Sequence, residues 1–114
     1  MLPEKNRLKK KKDFKEILKK GRGFKEDFLI AKIKKNEFKE ARLGFIVSRK
    51  VSKKAVVRNR IKRRLREVAK LRIGEIKEHV DIVLIALPGT ATKNFKEIKE
   101  TMEKLLVKAG LLKL

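Results

Sequence analysis

The 114-residue chain carries 35 Lys and Arg against 14 Asp and Glu, a formal net charge of +21, with 41% hydrophobic residues and no cysteine. That length fits a single domain, and the apolar content separates the chain from a purely charged, disordered polymer. Disulfide scaffolds and cysteine-based zinc sites are excluded, and so large a positive excess makes a polyanion, nucleic acid above all, the leading class of partner.

The first twelve residues are polar and basic and read as an extended, partly flexible lead-in. No signal-peptide core is visible in "MLPEKNRLKKKKDFKE", and no apolar run approaches the roughly 18 residues of a membrane span. The expectation is a cytoplasmic protein with no membrane partner. Asp13 followed by Glu16 has the form of a helix N-cap with its capping-box partner. A short helix through Phe14, Ile17 and Leu18 should follow, closed by Gly21. "GRG" at 21–23 reads as a turn.

"DFLIAKIKK" (27–35) and "RLGFIVSRK" (42–50) read as strands, and the short charged connection between them predicts a hairpin. In the second strand Leu43, Phe45 and Val47 alternate with Gly44, Ile46 and Ser48. "VSKKAVV" leads into a long helix running to about Arg72, with Gly74 placed as its C-cap glycine. "VDIVLIAL" (80–87) is almost continuously apolar and predicts a central strand buried on both faces. Asn94 and Glu97 form a second capping signature. The last helix should bury Phe95, Ile98, Met102, Leu105 and Ala109 and end near Gly110. Phe28, Phe45 and Phe95 read as core, while Phe24 and Phe38 are ambiguous. The order is α-β-β-α-β-α, with room for an additional short strand. It predicts one small α+β sandwich domain over 1–114.

The long helix is the unusual element. At about 100° per residue from Val57, the residues Ile61, Leu65, Val68 and Leu71 stay within roughly 80° of it and form the core face. Arg58, Asn59, Lys62, Arg63, Arg66 and Lys70 gather between roughly 100° and 240°, and Arg60 and Arg64 flank the apolar stripe on its other side. Ordinary solvated helices mix charge signs, because i,i+4 pairs of opposite charge stabilise them. Here Glu67 is the one acid between Arg58 and Lys70. A face so unrelieved suits phosphate, which the planar arginine fork grips in a bidentate way.

At "RNRIKRRLRE" (58–67) the chain resembles the protein subunit of bacterial ribonuclease P, a family with an Arg-Asn-Arg helix signature of this form. "RLKKKKDF" (7–14), "RLGFIVSRKVSKKAVVRNRIKR" (42–63) and "DIVLIAL" (81–87) match the family's other segments in order. The resemblance implies an α/β sandwich with a left-handed crossover around the signature helix. It also implies a partner, the catalytic RNA of ribonuclease P, with which the family removes the 5′ leader from precursor tRNA. In that family the RNA supplies the active site and its magnesium, and the protein binds the RNA and the leader. By position, Arg58, Asn59, Arg60, Lys62, Arg63 and Arg66 would face the RNA, with Lys70 extending the same arc. Ser48, Arg49 and Lys50 would lie beside the leader cleft, lined by Phe14 and Leu18. Phe14 alone, read from its helix, would sooner be core; the family position turns it into a cleft residue. Leu18 stands where the family often has a second aromatic, and Ala31 near another, so fewer stacking surfaces are on offer.

Nothing in the chain suggests its own catalysis. The acids are scattered singly among lysines, His79 is the lone histidine, and no Ser or Cys sits in a nucleophile motif. The reading is an accessory, non-catalytic subunit of an endoribonuclease, with no cofactor of its own and no small-molecule substrate. The alternative is a ribosomal or other structural RNA-binding protein, which shares the composition but not the ordered match over 42–66. A DNA-reading helix-turn-helix would need an exposed helix pair and a dimer seam. A membrane-surface helix would need aromatic residues on the apolar face.

Overall fold

The computed structural model describes residues 2–76 and 79–113. In chain order it has α1 (Lys11–Lys20), β1 (Arg22–Glu26), β2 (Leu29–Lys35), β3 (Arg42–Ile46), α2 (Ala55–Arg72), β4 (Val80–Ala86) and α3 (Phe95–Lys108). Short 3-10 turns lie at Glu4–Asn6, Ile73–Glu75 and Pro88–Thr92. The fold is the expected small α+β sandwich with one more strand, β1. That strand begins within the "GRG" piece read as a turn, where Gly23 pairs with Lys32.

The sheet order is β1-β2-β4-β3. β4 therefore holds the centre, as its almost continuously apolar run requires. The expected hairpin between the strands at 27–35 and 42–50 does not form. β4 inserts between β2 and β3, antiparallel to the first and parallel to the second. A strand this apolar must have a neighbour on each side, and that demand outweighs the short connection. The hairpin instead joins β1 to β2 with Glu26 opposite Leu29. Asp27, in its turn, adopts φ 48°, a conformation Asp tolerates better than most residues.

One face of the sheet is covered by α2 and α3. Leu29, Ala31, Leu43, Ile82 and Leu84 pack there with Ile61, Leu65 and Val68 of α2 and Ile98, Met102 and Leu105 of α3. The helix α2 buries an arc centred near Leu65 rather than Val57, so Ala69 is buried while Leu71 is 56% exposed. Leu71 thus leaves the core face assigned to it. Phe95 also departs from the core at 39% exposed, because it opens α3 beyond the edge of the packed layer. Phe28 is buried and Phe45 is half-buried against the core.

The other face carries a smaller cluster of Leu8, Ile17 and Val83, with Phe14, Ile46 and Ile85 partly buried against it. α1 covers only part of this face. Its start differs from the expected one: the helix begins at Lys11, and Lys10 at the N-cap makes no side-chain cap. Asp13 sits inside the first turn, where a carboxylate favours the helix dipole. Gly21 closes the helix by donating its N–H to the Ile17 carbonyl at 2.7 Å. The Asn94–Glu97 capping box forms, with the Glu97 N–H at 2.8 Å from Asn94 Oδ1 and the Asn94 N–H at 3.1 Å from Glu97 Oε1. Gly74 is not a left-handed cap; α2 passes into a 3-10 turn that contains it. Gly110, at φ 79°, does adopt that conformation just after α3.

The N-terminal segment is docked rather than free. Leu2 is buried, Asn6 Nδ2 donates to the Ala41 carbonyl at 2.8 Å, and the Leu8 N–H donates to the Leu43 carbonyl at 2.9 Å. Residues 2–8 thereby run along the open edge of β3. A polar staple completes this end of the molecule. Arg42 donates Nε and Nη2 to the two Asp81 oxygens at 2.8 and 2.7 Å, and Asn36 Nδ2 adds a third bond at 2.8 Å. Asp13 of α1 lies 3.8 Å from the same guanidinium, which also sits 4.3 Å from the centre of the Phe38 ring. Hydrogen bonding to Asp81 holds the Arg42 pKa above its ordinary value, so its charge persists at every working pH.

Asp81→Ala removes the acceptor of three hydrogen bonds at once. Because Arg42 keeps some contact with water, the loss should stay near the ordinary penalty for unpaired groups, about 1–3 kcal/mol of unfolding free energy. Urea unfolding should show a lower midpoint at unchanged slope. A midpoint equal to the parent's would remove the staple from any role in stability.

Candidate nucleic-acid interface

The basic side of α2 is a consequence of how the other side is held. Ile61, Leu65, Val68 and Ala69 are almost wholly buried, which fixes the helix about its axis and turns the cations outward. Asn59, Arg60, Arg63, Arg66 and Lys70 are exposed, while Arg58, Lys62 and Arg64 are half-buried. Among the described residues, no cation from Arg58 to Lys70 enters an ion pair; the salt bridges all lie elsewhere. Arg64 spends one donor on the Lys93 carbonyl at 3.0 Å. The positive charge of this face is dense enough for each cation to raise the cost of its neighbours.

Arg58 has a second task. Its Nη1 donates to the carbonyls of Ser52 and Lys53 at 3.0 and 2.9 Å. It thus clamps the loop between β3 and α2 onto the first turn of the helix. That loop is braced by four of its own residues. Val47 and Val51 are buried, Ser48 Oγ accepts from the Lys50 N–H at 3.3 Å, and Ser52 Oγ accepts from the Lys54 N–H at 3.2 Å. Ser48, expected beside the leader cleft, is here a turn-forming residue. Arg49, Lys50 and Lys53 project from the braced loop around a shallow concavity. Ordering the loop in advance spares the entropy that three free lysine-like chains would lose on meeting a polyanion.

The sheet face on the α1 side is covered incompletely. Ile46 and Ile85 remain half-buried there, and strand pairing puts Ile30 and Lys32 on the same face, opposite Ile85 and Val83. Phe14 is half-buried and Leu18, one turn on, is 37% exposed. The loop cations follow directly from the end of β3, so Arg49 and Lys50 stand near the Ile46 end of this face. Gly44 makes the close approach of α1 possible. A Cβ there would overlap the Phe14 ring and crowd Leu8. The tip of the Phe14 ring is thus packed against Gly44 while the residue as a whole stays half-buried.

Sequence reasoning passed over Arg7, Lys32 and Gly44. Arg7 was hidden in a run of lysines, and only its bridge to Leu43 separates it from them. Lys32 alternates with apolar residues, and this pattern carried the signal unread. The α3 side of the molecule is of another kind. Lys93 pairs with Glu97, Arg72 with Glu103 and Glu75, and Lys108 with Glu26. A cavity on that side, about 500 Å³, is lined by Asp27, Glu97 and Glu100 as well as Lys93 and Lys104. A polyanion has no reason to prefer it. Among the described residues, no three His, Cys, Asp or Glu side chains gather into a possible metal site, and no helix is long and apolar enough to cross a membrane. His79 is exposed, with Nδ1 against the Phe38 carbonyl.

Comparison with known proteins adds an independent line. The family model described as Ribonuclease P matches residues 2–110. The ribonuclease P protein component of Dictyoglomus turgidum is 42% identical over 115 residues, covering 97% of this chain and 94% of its own length. That of Alkaliphilus metalliredigens is 40% identical, covering 94% and 96%. Among solved structures, the RNase P protein of Staphylococcus aureus superposes with a TM-score of 0.86 at 33% identity, covering 95% of this chain and 98% of that one. The RNase P protein of Thermotoga maritima gives 0.81 at 31% identity, covering 90% and 96%.

Arg63 and Arg58 should separate in two measurements. Arg63→Ala should lower the slope of log affinity for RNA against log salt by about 1, one phosphate contact fewer, and leave tryptic cleavage of the 49–54 loop unchanged. Arg58→Ala should speed cleavage at Lys53 and Lys54 several-fold. Loop cleavage equal in both variants would mean that Arg58 does not brace the loop.

Proposed function

The chain belongs to the ribonuclease P protein family, and on that premise we propose how its surfaces divide the work of such an enzyme. It is a protein subunit of an endoribonuclease holoenzyme whose partner is the ribonuclease P RNA. We assign the Arg58–Lys70 face of α2 to that RNA, and the cleft between α1 and the sheet, with its basic loop, to the 5′ leader of precursor tRNA. The observation that carries this division is the unpaired cationic face, fixed in orientation by a fully buried opposite face.

The chemistry of hydrolysis falls to the RNA in this reading. Magnesium is the metal implied, and the protein's carboxylates do not suit it. Asp81 is taken up by Arg42 and Asn36, Asp13 lies against Arg42, and Glu16 lies near Lys20 and Lys34. These acids are held against cations, whereas metal-assisted phosphodiester cleavage needs carboxylates converging on one point. The protein's own contribution is binding and orientation. Neutralising phosphates of both RNAs lowers their mutual repulsion and holds the leader beside the RNA active site. Lys32 on the cleft floor and Arg49 and Lys50 at its mouth supply positive charge; Phe14 supplies the one large aromatic surface.

The test is cleavage of precursor tRNA by bacterial ribonuclease P RNA at low magnesium, with the RNA alone, the RNA plus this protein, and the protein alone. Correct 5′ processing should depend on having both. No stimulation by the protein would overturn the reading, and cleavage by the pure protein alone would place an active site in it. Phe14→Ala should weaken holoenzyme binding of precursor tRNA by about five-fold or more, within the range for one stacked base, and spare mature tRNA. Equal losses for both substrates would reduce Phe14 to a packing residue.

A further inference from the structure

The two flanks of α1 are held differently. The helix crosses the sheet from β3 to β2. Gly44 makes way for the Phe14 ring at one end, and at the other a Cβ on Gly21 would meet the Ile33 backbone at 3.2 Å. Between these contacts, Ile17 is the one buried residue among the described residues of the helix, packed with Val83. A helix of ten residues has little stability of its own. One buried side chain and two close contacts place its axis but restrain its roll lightly. Around that axis from Ile17, Asp13 and Glu16 lie roughly 40° and 100° to one side, and Phe14 and Leu18 roughly 60° and 100° to the other. Asp13 and Glu16 are the two acids of the helix, and each meets a cation of the sheet. Asp13 Oδ2 lies 3.8 Å from Arg42 Nη1, and Glu16 Oε1 lies 3.6 Å from Lys34 Nζ. Strand pairing sets Lys34, Asp81 and Arg42 in one row across β2, β4 and β3. Val83, under Ile17, belongs to the next row of this face, and Ile30, Ile85 and Ile46 form the row after it. The charged row thus lies on one side of α1 and the apolar cleft floor on the other.

We propose that Asp13 and Glu16 are positioning residues: through Arg42 and Lys34 they fix the roll of α1, and so preset the width of the leader cleft on its opposite flank, without touching RNA themselves. The inference rests on the cleft assigned above and deepens it. Long, partly exposed ion pairs of this kind add little to overall stability. Their effect is on orientation. Arg42 and Lys34 stand two strands apart, so the charged flank is held at two points about 10 Å across the sheet. Pairs that far apart resist a roll that a single contact permits. The row they meet is itself rigid, because Asp81 binds Arg42 through both of its oxygens and takes a further bond from Asn36. With the roll fixed in advance, the cleft does not have to be ordered when a leader enters it.

The experiment uses the sign of the effect. The double variant Asp13→Asn, Glu16→Gln keeps the shape of both side chains and raises the net charge by two. If the acids acted through charge alone, every RNA would bind more tightly. Positioning predicts the reverse for one ligand: the assembled holoenzyme should lose about 2- to 10-fold in affinity for precursor tRNA, with no loss for mature tRNA and none in binding of the protein to the catalytic RNA. Asp13→Glu, which keeps the charge, should retain precursor affinity. Precursor affinity that is unchanged or higher in the double variant overturns the proposal, as does an equal loss for mature tRNA. A parent holoenzyme that binds precursor and mature tRNA equally overturns the leader cleft itself. A second measurement reads the helix directly. Because the chain has no cysteine, spin labels can be placed at Lys15→Cys on α1 and Lys25→Cys on β1. Their distance distribution in the free protein should broaden in the double variant, and an unchanged distribution sinks the idea. Should the double variant lose helix by circular dichroism, Glu16→Gln alone, which leaves the first turn intact, carries both measurements with the same expected signs.

Discussion

A seven-residue strand, apolar at every position but Asp81, needs cover on two faces, and the rest of the molecule is arranged to give it. β4 cannot lie at an edge or against water, because nearly every residue from Val80 to Ala86 is buried. Its flanks are taken by β2 and β3, one face by α2 and α3, and the other by α1. The parallel pairing of β3 with β4 forces the chain to cross over between them, and α2 is that crossover. The helix with the greatest positive charge is therefore also the one whose axis and rotation are set by the core. A basic segment free in solution would carry the same charge with none of this orientation, and would lose conformational freedom on meeting RNA.

Charge is the opposing constraint. A net +21 on a small domain favours expansion, and the molecule handles it by segregation. Acids are concentrated where they can stabilise, at the Arg42–Asp81 staple and along α3, where Glu97, Glu103 and Glu26 meet basic partners. The α2 wall and the loop that follows β3 receive almost none. Individual surface ion pairs contribute little to stability; here they leave the α3 side mixed in sign and the α2 face without acid partners. A phosphate backbone approaching from any direction is drawn to the same side.

Much of this was legible in the sequence, and the failures have identifiable causes. The helix α2, the central placement of β4, the Asn94 cap and the basic face follow from periodicity and cap chemistry, which are local. β1 was allowed for only as an additional short strand and could not be placed, because Arg22, Gly23, Lys25 and Glu26 leave Phe24 as its one apolar residue. The misassigned hairpin came from treating a short connection as evidence of pairing, when the decisive demand lay forty residues away in β4. Leu71 and Phe95 sat on the right stripes but at positions where the packed layer had ended. Asp13 had the spacing of a cap yet serves one turn later, beside Arg42. The ion pairs beneath α1 were out of reach, since Arg42 and Lys34 come into one row only through the strand order. The family resemblance gave roles by position but said nothing of Arg58 as a brace for its own loop.

The strand order also sets a timetable for folding. β1 and β2 are joined by a tight turn and can pair as soon as both exist, on the microsecond scale of hairpins. β3 has no such neighbour. Its ladder partner is β4, and the loop to be closed contains the whole of α2 and the turn after it. Pairings this distant in sequence slow folding, because chain entropy is lost before the contacts that repay it are made. During synthesis from the N-terminus, β3 and the arginine-rich helix are complete before β4 has been added. In that interval the apolar side of α2 has half a sheet to rest on. The cationic wall gains its orientation only when the least charged segment of the chain arrives.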